Sequence, residues 1–208
     1  MYRLRLLRPS GVRFEWAALP IEVVNRRGTP KDILDQEVDL IHAIEPRLEL
    51  RRWSAREWEW PVTILPAFEA VKCAEAQGDD LVWEYQWRVR QAFFRDSACI
   101  SLRHVLLDLA DEVGLDAARM ASDFDSGRFR RQVMAEGHAG WQVLKVRGSP
   151  TLVLPDGSPC AYPGLPEVTW SPDHRRIERV EPPGEDPLAV LRGLLARARS
   201  ASSSVRSR

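Results

Sequence analysis

Residues 148–157, Gly148-Ser149-Pro150-Thr151-Leu152-Val153-Leu154-Pro155-Asp156-Gly157, place a proline at the mouth of an apolar strand that ends in a turn. Proline has no N–H to give to a sheet ladder, so Pro150 belongs at the first position of that strand. An X-Pro bond held cis at such a corner leaves the neighbouring backbone groups free to pair with an extended peptide, which is recognition by strand addition. Ser149 and Thr151 flank the loop in that reading, and Ser149 supplies the pairing backbone. Thiol exchange at such a loop would need a thiolate nucleophile. Three cysteines are available, Cys73, Cys99 and Cys160, and no two of them form a Cys-x-x-Cys.

The other chemistry-bearing residues are read as follows. Cys73 stands among Ala70, Val71 and Ala74 at a helical position, as a small buried hydrophobe does. Cys99 and Cys160 fall in loops, and neither is followed by a helix start with a second thiol, so no catalytic residue is assigned. An odd number of widely spaced cysteines suits reduced thiols, not a disulfide framework. His42, His104, His138 and His174 share no short spacing with carboxylates or cysteines and read as surface or capping residues, so neither a metal nor a cofactor is expected. Trp53, Trp58 and Trp60, with Trp83 and Trp87 further on, either line an apolar cleft or pack one part of the fold on another. Asp123, Asp125 and Arg128 read as a solvated helix junction, and Arg128, Arg130 and Arg131 as an exposed face.

Composition sets the bounds. With 44% hydrophobic and 29% charged residues, 208 residues bury a core of ordinary size, as one domain or as one domain carrying a large insertion. Thirty basic residues balance thirty acidic ones, so no global charge argues for nucleic acid, a membrane surface or an acidic partner. Lys31, Lys72 and Lys145 are the only lysines, which makes arginine counts a poor guide to function. No apolar run approaches the roughly 20 residues that span a bilayer, and the N-terminus lacks the apolar core of a signal peptide; a cytoplasmic location is expected. Nothing here fixes an oligomeric state.

The elements that must position these residues run in a definite order. Residues 1–8 make the last turns of a helix, stopped by Pro9 and Gly11. Residues 12–19 alternate Val12, Phe14 and Trp16 on one face, the pattern of a half-buried strand that Pro20 ends. A short helix is expected over 31–43, one from Pro66 with Gly78 past its end, and one over 81–94. Ser101 caps a helix to Val113, which Gly114 ends, Asp116 caps another through Phe124, and one more covers 128–144. The Pro150 strand follows, then a turn at Pro155-Asp156-Gly157, a Pro/Gly-rich connection and a strand around 176–180. Asp186 caps a final helix with Pro187 at its first position. The Ser/Arg-rich tail, 200–208, is expected to be disordered.

This order resembles the disulfide-bond oxidoreductase A (DsbA) family, in particular its branch with 2-hydroxychromene-2-carboxylate isomerase and kappa-class glutathione transferase relatives. The resemblance covers roughly residues 1–199. It rests on Phe14-Glu15-Trp16 leading into Leu19-Pro20-Ile21-Glu22, on Ala67-Phe68-Glu69-Ala70 through Gln77-Gly78, on Phe93-Phe94 to Ser101 with Leu106-Leu107-Asp108-Leu109-Ala110 and Gly114-Leu115-Asp116, on Val146-Arg147-Gly148-Ser149-Pro150-Thr151, and on the closing Asp186-Pro187-Leu188 helix.

The resemblance implies an α/β fold, a thioredoxin-like sheet with a large all-helical insertion. The core is expected at 1–27 and 146–199, the insertion at 28–145 and the tail at 200–208. In the family a strand leads to Cys-x-x-Cys, or to a Ser in the isomerase and transferase branches, and then to a helix whose N-terminus lowers the thiol pKa. Residues 1–8 match the end of that helix, so the fold is expected to lack its first strand, with the catalytic motif upstream of Met1 and the chain truncated before it. That strand is internal in the family's sheet, between 12–19 and 151–154. The implied function is thiol-disulfide exchange on peptide or protein thiols, or on glutathione, silent in these 208 residues. Two alternatives stay open: a redox-silent module that holds peptides or an apolar ligand, and a glutathione-dependent isomerase or transferase.

Overall fold

A computed structural model describes residues 1–7 and 10–205 of the chain. It divides into two compact units, Ala17–Ala139 on one side and Met1–Trp16 with Gly140–Arg208 on the other. The helical unit spans residues 17–139.

The helical unit holds α2 (Glu22–Asn25), α3 (Lys31–Ile44), α4 (Leu65–Glu75), α5 (Asp79–Phe94), α6 (Arg103–Glu112), α7 (Ala117–Asp125) and α8 (Arg130–His138). Its centre is α4, which packs against α5, α6, α7 and α8. Ala67, Ala70, Cys73 and Ala74 are all buried on it, and side chains this small let four neighbours approach one axis. Around them Val82, Tyr85, Leu106, Met120 and Val133 complete the core, and the Tyr85 hydroxyl donates to Leu106 O at 3.0 Å. Gly137 is demanded by close approach: a Cβ there would meet Pro20 Cδ at 3.0 Å.

Lys72, only 4% exposed, is held by two carboxylates, Glu75 and Glu136, each at 2.8 Å. The second oxygen of Glu136 accepts the Ala18 N–H at 2.6 Å, tying the start of this unit to α8. A buried ammonium is tolerated only when paired in this way.

The other unit holds α1 (Tyr2–Leu7), β1 (Thr151–Val153), β2 (Pro159–Ala161), β3 (Glu167–Trp170), β4 (Ile177–Glu181) and α9 (Pro187–Val205). Helix and sheet are thus mixed, and the sheet is in two separate antiparallel hairpins, β1 with β2 and β3 with β4. Leu154, Leu194 and Ala198 form the core under the first hairpin, with Val12, Leu152, Cys160 and Val190 packed against it.

Several expectations change. Residues 12–19 carry no ladder pairing, although Val12, Phe14 and Trp16 are half-buried between exposed Arg13, Glu15 and Ala17. The alternation read from the sequence is real as burial, but a strand also needs a neighbour's backbone, and among the described residues none lies alongside. Ser101 does not cap α6. Its hydroxyl donates to Thr63 O, and the N-cap is Leu102. Asp116 and Asp186 do cap, the first accepting from Arg119 N at 2.9 Å and the second from Ala189 N at 3.0 Å. The expected helix over 128–144 passes into a π turn at Ala139–Val143, where Gly137 and Gly140 weaken the regular ladder. α9 runs on to Val205, so the expected loss of structure from residue 200 does not hold over 200–205. Residues 8, 9 and 206–208 lie outside the described residues.

Urea unfolding checks the two polar devices. Asp116→Ala should cost about 1 kcal/mol, and Lys72→Met, which strands Glu136, about 3 kcal/mol.

Candidate functional site

The Pro150 loop is built outward from β2. Antiparallel pairing sets Thr151 opposite Ala161, Leu152 opposite Cys160 and Val153 opposite Pro159. Just outside the strands, Tyr162 N donates to Pro150 O at 2.8 Å, and Leu154 N donates to Ser158 O at 3.0 Å. Ladder bonds in an antiparallel pair recur at every second residue, so 150, 152 and 154 face β2 and 149, 151 and 153 turn the other way. Along that outer edge no strand lies among the described residues. Ser149 has no backbone partner among them either. Ser149 and Pro150 are exposed, Thr151 is half-buried and Val153 is 48% exposed.

The loop is braced at several points. The Ser149-Pro150 bond is cis. The Tyr162 hydroxyl donates to Arg147 O at 3.0 Å, and the Thr151 hydroxyl donates to Gly148 O at 2.5 Å. Gly148 is buried beneath the phenol, where a Cβ would lie 1.9 Å from the tyrosine oxygen, so only glycine fits. The turn that closes the hairpin is set by Asp156, which accepts from the backbone and hydroxyl of Ser158; those bonds hold its carboxyl below the usual range.

No cysteine stands at 149, 151 or 153 on this edge. Burial pushes the Cys73 thiol up to about 12, with Asp123 and Glu69 adding to the effect. Cys160 lies on β2 against the Leu154 cluster, and Cys99 is half-buried in the loop after α5. All three are free. The four histidines are exposed, and among the described residues no cluster of His, Cys, Asp or Glu could hold a metal ion.

The three tryptophans of the expected cleft are not brought together. Trp53 is 9% exposed and its ring lies 5.2 Å from Trp60 and 5.6 Å from Phe93, as part of an aromatic cluster. Trp58 is 76% exposed, with Arg56 stacked 5.2 Å above its ring. Burial of Trp53 and Trp60 stabilises the loop around them, and Trp58 stands outside their aromatic cluster. The 123–128 region, expected as a solvated helix junction, is ion-paired: Arg128 holds a largely buried Asp123 at 2.8 Å and Arg103 holds an exposed Asp125 at 2.5 Å.

Tyr162 was not singled out by sequence reasoning, although a strand, a Pro-Asp-Gly turn and a second short run at 159–161 together signal a hairpin. Among the described residues no helix is long and apolar enough to cross a membrane. Compared with protein-family models, curated proteins and solved structures, the chain matches none of them.

Gly148→Ala should destabilise the protein by about 1–3 kcal/mol, since the phenol must move. Cys73 should resist a thiol reagent in the native state while reacting at once in denaturant. Its native pKa is raised, so stability is intact below the thiol's ordinary 9.0 and falls as pH rises from there toward about 12. Mass spectrometry after timed labelling checks the first, and unfolding curves across pH check the second.

Proposed function

We propose that this chain is a DsbA-like, thioredoxin-fold relative that holds extended peptides. Ser149, Pro150 and Thr151 form the binding surface with the outer edge of β1, and the 208 residues do not themselves exchange disulfides. The observation that carries the reading is the outward alternation of 149, 151 and 153. Three residues present N–H and C=O groups in strand register, and an added strand satisfies them in order. Glutathione offers too short a backbone to engage more than the Ser149 end, so a longer peptide is favoured.

Thiol exchange requires a thiolate close to neutral pH that faces the loop. Cys73 is held protonated by burial, and Cys160 projects from β2 into an apolar cluster, so neither meets that need. The exchange reading rests on the order of elements alone.

A cysteine-free peptide of alternating valine and threonine, N-methylated at one amide at a time, tests the proposal. Methylation at alternate amides should weaken binding at least about tenfold, and at the amides between them should have little effect. Equal losses at every position would contradict strand addition. The same protein should not reduce insulin; turnover there would contradict the silent reading.

A further inference from the structure

The outer edge of β1 is unguarded. Edge strands discourage further pairing with charged side chains, and β4 carries Glu178, Arg179 and Glu181 along its length. Residues 149–155 hold no charge at all. Proline, the other common guard, stands on the inner side: Pro150 faces β2, so its missing N–H costs the outer edge nothing. Leu152 packs on the Leu154 cluster, and side chains alternate along a strand, so Thr151 and Val153 share the opposite face of the hairpin with their partners Ala161 and Pro159. Val153 and Pro159 are exposed there, and that face carries no charge either.

Charge returns at the two ends of the edge, with opposite sign. Lys145 and Arg147 lie exposed ahead of the loop, and no carboxylate pairs with either among the described residues. Asp156 lies exposed in the turn after the strand, where Arg197 approaches it only at 3.5 Å. An uncharged edge with a cationic end and an anionic end complements itself when two copies run antiparallel. A closed two-fold interface requires this self-complementarity, and a parallel arrangement would set like ends together.

We propose that the outer edge of β1 pairs with the same edge of a second copy of this chain, antiparallel about a two-fold axis at Thr151. Thr151 of one protomer then faces Thr151 of its partner, Ser149 faces Val153, and facing residues exchange backbone hydrogen bonds. Two hairpins become one four-stranded sheet, and the Lys145–Arg147 end of each copy comes toward the Asp156 turn of the other. So small a contact makes a weak dimer that forms only as concentration rises; dilute protein keeps the edge open. The pairing rests on the open edge of the peptide-binding reading and regulates it, because a peptide and a second copy compete for the same N–H and C=O groups.

Sedimentation equilibrium from about 10 μM to about 1 mM protein tests this. The wild-type chain should pass from monomer to dimer over that range, and the Thr151 and Val153 amides should exchange more slowly in the dimer while Leu152 and Leu154 stay unchanged. Residue 151 faces its own copy, so Thr151→Lys and Thr151→Glu should each weaken self-association at least about tenfold, and an equimolar mixture of the two should restore it. Thr151 also braces Gly148 O, so the wild-type amides decide if either variant fails to fold. The alternating valine and threonine peptide should return the wild-type dimer to monomer. A wild-type chain monomeric throughout, a dimer whose Thr151 and Val153 amides exchange as fast as in the monomer, a dimer that persists with peptide bound, or a mixture of folded variants that associates no better than either alone would each overturn the proposal. Peptide binding by a chain that never dimerises would overturn the dimer and leave the peptide-binding reading standing; a dimer with the expected amides and variants that no peptide enters would support the dimer and overturn that reading.

Discussion

Tyr162 makes two bonds on which the geometry of the candidate site depends. Its N–H holds Pro150 O and its hydroxyl holds Arg147 O, one on each side of the Ser149-Pro150 bond. The first bond sets the register of β1 on β2, and a slip of one residue would turn every outward backbone group inward. The second pins the segment before the proline, with Gly148 as the only residue that leaves room for the ring. Both bonds come from one residue and brace the exposed edge at 149, 151 and 153, although Ser149 itself has no backbone partner among the described residues. Bracing of this kind lowers the entropic cost of binding an extended chain.

A different constraint shapes the helical unit. Four helices approach α4, so most of its buried positions are small, and a cysteine serves there as well as an alanine. The same burial that makes Cys73 a good packing residue holds its thiol protonated. Packing thus accounts for the raised pKa of the one cysteine placed deep in the core.

The helices were legible because their signals are local. Asp116 and Asp186 accept backbone N–H groups at the helix starts where they stand in sequence, and the spacing of apolar residues marks α4 and α5. Ser101 misled because a distant carbonyl, Thr63 O, takes its hydroxyl, which no local pattern records. Residues 12–19 misled for a related reason: alternation reports which side is buried, but pairing depends on a partner strand. Pro150 was legible as a strand-opening residue, whereas its brace, Tyr162, comes from across a hairpin. The tryptophans were ambiguous because an indole run describes a core cluster and a cleft equally well. Trp53 and Trp60 joined the cluster, and Trp58 was left outside.

Strand addition at β1 requires that the outward amides be open and the inward ones already engaged. Residue-resolved hydrogen exchange with and without a strand-forming peptide reads this directly, since a ladder-bonded amide exchanges slowly and an open one fast. In the free protein Leu152 and Leu154 should be protected while Ser149, Thr151 and Val153 exchange rapidly; on adding peptide those three should slow together. Protection of Thr151 and Val153 in the free protein, or continued rapid exchange at saturating peptide, would contradict the open edge on which the proposed function rests.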